Sequence, residues 1–178
     1  LLNLGSLARD RADRPDAHAA RRWFERASAH TQSAGIDVLR LYAAVHLGRC
    51  AREAGDWAAA QAHCQRALDM SRKHGQLVLA EAAELGLARL ALQHGDAAQA
   101  LQTAQRLAHA ARQRGSDSDL AHALLLQADG LAHGGQTGHA AQVLRGVLAL
   151  PSLHAPTRGA AQAALAALAA QQAQPLQP

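Results

Sequence analysis

Residues 47–68 read LGRCAREAGDWAAAQAHCQRAL, and the spacing within this stretch decides the fold. With Ala44 just before it, the run Ala44, Leu47, Gly48 and Ala51 recurs at steps of 3 and 4, as do Ala60, Cys64 and Ala67 further on. Each half is therefore a helix with one apolar stripe. Gly55-Asp56 separates them as a turn, and Asp56 is placed to cap the second helix. Small residues face each other across the turn at Gly48 and Ala60, as the short end of the ~8–10 Å helix-packing range requires.

Outward from this hairpin the pattern repeats every 40 residues. Asp56 has counterparts in Asp16 and Asp96, with Gln136 next, and the preceding residues are Gly55, Pro15, Gly95 and Gly135. Ala60 recurs as Ala20, Ala100 and Ala140. Leu47-Gly48 recurs as Leu7-Ala8 and Leu87-Ala88, with Ala128 completing the small-residue series. A second glycine series, Gly35, Gly75 and Gly115, is placed to end each second helix in a left-handed conformation. A period of this length marks a repeat architecture. The units are 1–36, 37–76, 77–116 and 117–150, each an antiparallel helical hairpin, and residues 1–150 form the array. Pro151 and Pro156 then interrupt the pattern, residues 151–170 provide an Ala/Leu capping helix, and 171–178 are expected to be a disordered tail.

Composition agrees with an all-α chain. Only Trp23, Phe24, Tyr42 and Trp57 are aromatic, Ala and Leu dominate, and β-branched residues are few, which favours helix and leaves little for a sheet. At 178 residues the expectation is one domain. The net charge of +4 is not concentrated: residues 1–40 carry seven Arg against five acids, and the remainder eleven Lys/Arg against nine. Direct nucleic-acid binding is unlikely on these grounds, since a basic stripe and aromatic stacking platforms are both thin. No membrane span is expected, because no run approaches ~18 uncharged apolar residues. Cys50 and Cys64 do not make a disulfide framework, which fits a reducing, cytoplasmic setting.

A small-residue pair in the first helix, a Gly-Asp/Asn turn, then Ala, an aromatic or large residue, and Ala on the second helix are the pattern of the tetratricopeptide repeat, which this chain resembles. Leu47-Gly48, Ala51, Gly55-Asp56-Trp57, Ala60, Cys64 and Ala67-Leu68 carry the likeness in the second unit, and Leu87-Ala88, Ala91, Gly95-Asp96, Ala100 and Leu107 in the third. The first and fourth units are degenerate. The 40-residue period is longer than the usual 34, the closing Pro is missing, and Arg11 and Gln127 replace apolar residues. Longer-period arrays of this kind look like those of large bacterial signal-transduction regulators and ATPases. The resemblance covers about residues 4–150 and implies a right-handed α-α superhelix of about four hairpins plus the cap.

His46 and Cys50, four apart on one helix, with Cys64 on the next, would suit zinc, but no fourth ligand accompanies them and Cys64 falls on a core position. No metal or cofactor is expected. A Cys50–Cys64 bridge is thinkable across the hairpin, although cytoplasmic disulfides are rare. Nothing supplies an oriented base or an oxyanion site, so no enzyme is expected. Arg21, Arg22, Glu25 and Arg26 read as a solvated helix face, and Trp57 is expected to pack between hairpins.

The expected function is protein–protein interaction, as a scaffold or sensor module at the C-terminal end of a longer bacterial regulator involved in signal transduction or transcription regulation. Its partner would be a protein or peptide segment, or a neighbouring domain of the parent chain. The alternative is a small-molecule-sensing effector domain. By the resemblance, the concave groove is lined by Leu2, Gly5 and Arg9, by Tyr42, Val45, Arg49, Arg52 and Glu53, by Leu85, Arg89 and Gln93, and by His122, Leu125 and Asp129. Arg9, Arg49 and Arg89 recur at 40-residue steps, so the segment is expected to be acidic, because the guanidinium fork grips carboxylates. The competing reading has these arginines simply pairing with Glu53, Glu84 or other acids of the chain.

Overall fold

The computed structural model describes residues 1–10, 16–33 and 37–173. Among the described residues there are nine helices and no strand: α1 Leu2–Asp10, α2 Ala17–Ser33, α3 Asp37–Glu53, α4 Trp57–Lys73, α5 Leu77–Gln93, α6 Ala97–Arg114, α7 Asp117–His133, α8 Thr137–Leu148 and α9 Ala155–Ala173. The fold is all-α, with consecutive helices packed on one another, as a helical repeat requires. The chain divides into two compact units, Leu1–Leu90 and a second from Ala91 onward, with the boundary inside α5.

In the N-terminal unit α1 packs on α2, α2 on α3, and α3 on α4. The apolar stripes meet in small clusters. Ala20 and Phe24 of α2 bury against Leu47 and Cys50 of α3, with Leu2 and Ala8 of α1 at the edge. Ala44 of α3 and Ala67 and Leu68 of α4 enclose Ala80 and Ala83 of α5, and Val45 and Leu87 cover that cluster. Alanine dominates these contacts because short side chains let neighbouring helices approach closely.

The closest approach centres on Cys64. A Cβ built on Gly48 of α3 would lie 2.6 Å from the Cys64 sulfur, and one built on Gly86 of α5 would also lie 2.6 Å from it. The sulfur of α4 thus fits between two glycines on two different helices. Position 48 was expected to be small for contact with α4, and the backbone of Ala60 and Cys64 is indeed what its missing side chain would meet next, at 3.5 and 3.4 Å.

In the second unit α6 packs on α7, α7 on α8, and α8 on α9, with a smaller contact between α7 and α9. α7 is buried over most of its length, including Leu120, Leu124, Leu126 and Ala128. The turn after α8 is tied back to α7 by the Ser152 N–H, which donates to Asp117 Oδ2 at 3.1 Å. α9 contributes Ala161 and Leu168 to the core. It continues to Ala173, past the end expected at 170, while 174–178 lie outside the described residues.

Five turns close in the same way. Gly55, Gly75, Gly95, Gly115 and Gly135 all have φ between 65° and 88°, the left-handed region that glycine enters without steric cost. Each glycine N–H donates to the carbonyl three residues back, and the next N–H to the carbonyl five back, as in Gly55→Arg52 at 3.0 Å and Asp56→Ala51 at 2.9 Å. This is the Schellman closure, which satisfies the orphan carbonyls of a helix end. Gly35, expected to behave likewise, lies outside the described residues. The expected caps form at Asp16, Asp56 and Asp96, whose Oδ1 atoms accept the N–H three residues on at 2.7, 3.0 and 2.9 Å. Gln136, one methylene longer, makes no such bond.

Several sequence expectations need correction. Trp57 does not pack between hairpins; it is 40% exposed at the start of α4. Gly5 does not line an open face, because its missing side chain would meet the Phe24 ring at 2.6 Å. Leu125, also assigned to the groove, is buried within α7's core stripe. Leu7 and Leu47 share a repeat position, yet Leu7 is 64% exposed and Leu47 only 7%. The difference is physical: Leu47 has α2 beside it, and no described helix occupies the corresponding place beside α1.

Candidate partner-binding face

In the N-terminal unit, α3 and α5 carry exposed apolar side chains near their first turns and arginines near their last. α3 and α5 lie side by side through Ala44, Ala80 and Ala83. Val38 and Val78, Val45 and Leu85, and Arg49 and Arg89 are each 40 apart and so hold the same place in the sequences of the two helices. Helical periodicity sets Val38, Tyr42, Val45, Arg49 and Arg52 along one strip of α3.

The N-terminal ends of these helices are apolar. Val38, Leu39, Tyr42, Leu77 and Val78 are all exposed. Every exposed large apolar side chain among the described residues lies at or before Val78. At the matching register of the second unit stand Asp117 and Ser118, so the apolar character is particular to this unit. Scattered surface leucines need no explanation, whereas a group gathered at one end of two adjacent helices does.

The C-terminal ends are cationic. The last two turns of α3 and α5 carry Arg49, Arg52 and Arg89 against Glu53 alone. Arg49 Nε donates to Glu53 Oε1 at 2.8 Å, and Arg52 Nη2 lies 3.8 Å from the same oxygen. Glu53 thus sits between two guanidiniums at the edge of solvent. The pairing that competed with partner binding in the sequence is present for Arg49, and an exposed pair of this kind is worth only ~0.2–1 kcal/mol. Glu84 pairs with Arg72 of α4 at 2.9 Å. Asp37 takes Arg40 at 3.1 Å and lies 3.8 Å from His74.

The remaining expected positions distribute as follows. Val45 and Leu85 are half-buried and form the floor between the two ends, and Val45 also packs on the α3–α5 cluster. Arg89 is half-buried. Gln93 is exposed at the end of α5. Arg9 lies in the last turn of α1, and its side chain is outside the described set. In the second unit Asp129 is exposed and its carbonyl engages His133 Nδ1 at 2.8 Å, and His122 is half-buried. The structural positions behave as small core residues, with Gly48, Ala60, Ala88, Ala100 and Ala140 all buried.

The thiol and imidazole groups point elsewhere. His46 stacks on Phe24, with ring centroids 4.6 Å apart and planes at 8°. Cys50 is buried in the Phe24 cluster, and Cys64 faces the two glycines. Burial pushes the Cys64 thiol above its ordinary value, against a smaller opposing pull from Arg52, so it is held as the unreactive thiol. Neither Cys50 nor Cys64 is in a disulfide, and no group of three or more metal-capable side chains forms among the described residues. An apolar cleft of about 270 Å³ beside Leu1, Leu2, Ala27, Thr31 and Leu39 is open and below the usual ~300–1,000 Å³ of ligand pockets. No helix among the described residues is long and apolar enough to cross a membrane.

The arginines were legible in the sequence from their 40-residue steps. The apolar end was missed, because Val38, Leu39, Leu77 and Val78 flank the turns and contribute nothing to the buried stripe. The signal was available: Val38 and Val78 are themselves 40 apart. No protein-family model matches the chain, and no curated protein matches it significantly.

Proposed function

We propose that the chain is a tetratricopeptide-like interaction module and that the α3–α5 face of its N-terminal unit docks a segment of a partner protein. The observation that carries this reading is the exposure of Val38, Tyr42, Leu77 and Val78 near the start of α3 and α5, two helices of one core cluster whose other ends carry Arg49, Arg52 and Arg89. Apolar side chains supply the driving force on such a surface, while charge sets orientation and selectivity. The module belongs, in this proposal, to a cytoplasmic regulator of bacterial type, in which the bound segment comes from another protein or from a neighbouring domain.

A photo-crosslinking amino acid at Tyr42 or Val78, compared with the same probe at Gln105 on α6, tests the reading in source cells. One discrete protein adduct at the first two positions and none at the third is the expected outcome. Equal adducts at all three positions, or none at any, would count against it.

A further inference from the structure

Resting on the docking reading above, we infer that the segment received by the α3–α5 face is amphipathic along its length. Its apolar residues seat on Val38, Tyr42 and Val78, and a carboxylate about 10 Å away replaces Glu53 on Arg49. The distance follows from the seven residues between Tyr42 and Arg49 at ~1.5 Å rise each. A partner spans it with ~3 residues if extended or ~7 if helical.

Two features define the partner. The charge gradient is the first: the apolar end has Asp37 held by Arg40, Glu84 held by Arg72 and a further acid at Glu81, while beyond Val45 α3 carries Arg49 and Arg52 against Glu53. An acidic group is therefore favoured at one end only, which fixes the direction of the bound segment. Glu53 is the second. It presents a carboxylate oxygen 2.8 Å from Arg49 and 3.8 Å from Arg52, with its side chain only 30% exposed, so the pair of guanidiniums already holds the group that a partner would bring. Glu53 acts as a built-in competitor. At the equivalent place after Arg89 the chain has Gln93, which carries no charge.

The test uses the full chain and a displayed library of random 12-residue peptides, selected on it and counter-selected on the Tyr42→Ser chain. Recovered peptides are synthesised and titrated by fluorescence polarisation. They are expected to carry apolar residues separated by the stated distance from Asp or Glu. Binding should tighten about threefold on Glu53→Gln and weaken to a similar degree or more on Arg49→Gln. Peptides synthesised with Asn and Gln for their acids should not respond to Glu53→Gln. If Tyr42-dependent peptides are recovered but neither Glu53→Gln nor Arg49→Gln alters their affinity, the carboxylate inference is wrong while the docking surface stands. If no Tyr42-dependent peptide is recovered, the docking reading itself fails. Tyr42-dependent sedimentation with anionic phosphatidylglycerol vesicles, without peptide binding, would assign the face to a lipid surface and overturn both.

Discussion

Replacing Gly86 by alanine places a methyl carbon 2.6 Å from the Cys64 sulfur, where ordinary contact begins at 3.4 Å. Two opposing effects follow. A glycine inside a helix costs ~0.5–1 kcal/mol relative to alanine, so the substitution alone favours folding by that amount. Overpacking a tight contact costs ~1–3 kcal/mol. The cysteine cannot simply turn aside, because Gly48 presents the same 2.6 Å approach from α3. Gly86→Ala should therefore destabilise by about 0–2 kcal/mol. Cys64→Ala removes one buried atom and leaves a small void, costing ~1 kcal/mol. In the double variant the next nearest atom to the new methyl is the carbon at position 64, at an ordinary 3.7 Å, and the methyl fills the space left by sulfur. The pair should then match the parent to within ~0.5 kcal/mol, which gives a favourable coupling of ~1–3 kcal/mol. Urea unfolding of all four proteins, followed by circular dichroism at 222 nm, measures it. Additivity within ~0.3–0.5 kcal/mol would show that the three helices do not meet through this sulfur.

Ser71 is fully buried and its hydroxyl finds no hydrogen-bond partner, whereas Thr31 at the equivalent position donates to the Ala27 carbonyl at 2.8 Å. Ser71→Ala should raise stability by ~1 kcal/mol in the same urea assay, and a loss of that size would mean the hydroxyl is satisfied by water. Gln136→Asp should restore the cap present at Asp96 and add ~0.5–1 kcal/mol, while Asp96→Ala should lose a similar amount or more; thermal melting checks both. Burial lowers the His63 pKa, helped by Arg66 and Arg21, so the unfolded chain binds the extra proton first as pH falls. Its contribution is full above the unfolded value of ~6.5 and is lost as pH drops from there towards the folded value. His63→Gln should flatten the pH dependence of the urea midpoint in that window, and an unchanged slope would exclude His63 as its source.

The turns and the core were legible in the sequence because both are governed by residues that tolerate few substitutes. Glycine at 55, 75, 95, 115 and 135 is needed for positive φ, and Asp56 and Asp96 carry a short acceptor side chain that reaches the N–H three residues on, as Ser116 also does. The same reasoning read Ala60 and Ala100 as interfacial, and both are buried. Surface features were less legible. Trp57 was expected to pack between hairpins, yet it is 40% exposed in the first turn after the cap. Gly5 looked open because its counterparts Val45 and Leu85 lie on the face, whereas the bulk of Phe24 closes α1 onto α2 there. Arg49 pairs with Glu53, one of the two arrangements its place in the sequence allows.

The five closing glycines fall every 20 residues, while the packing positions repeat every 40. The backbone thus has half the period of the side chains. Gain or loss of one helix would leave every remaining turn intact, yet it would bring two second-type stripes, or two first-type stripes, against each other. Gain or loss of two helices would preserve both periods. Length variation among natural versions of this chain should therefore proceed in steps of 40 residues, with 20-residue variants rejected by their cores and not by their loops.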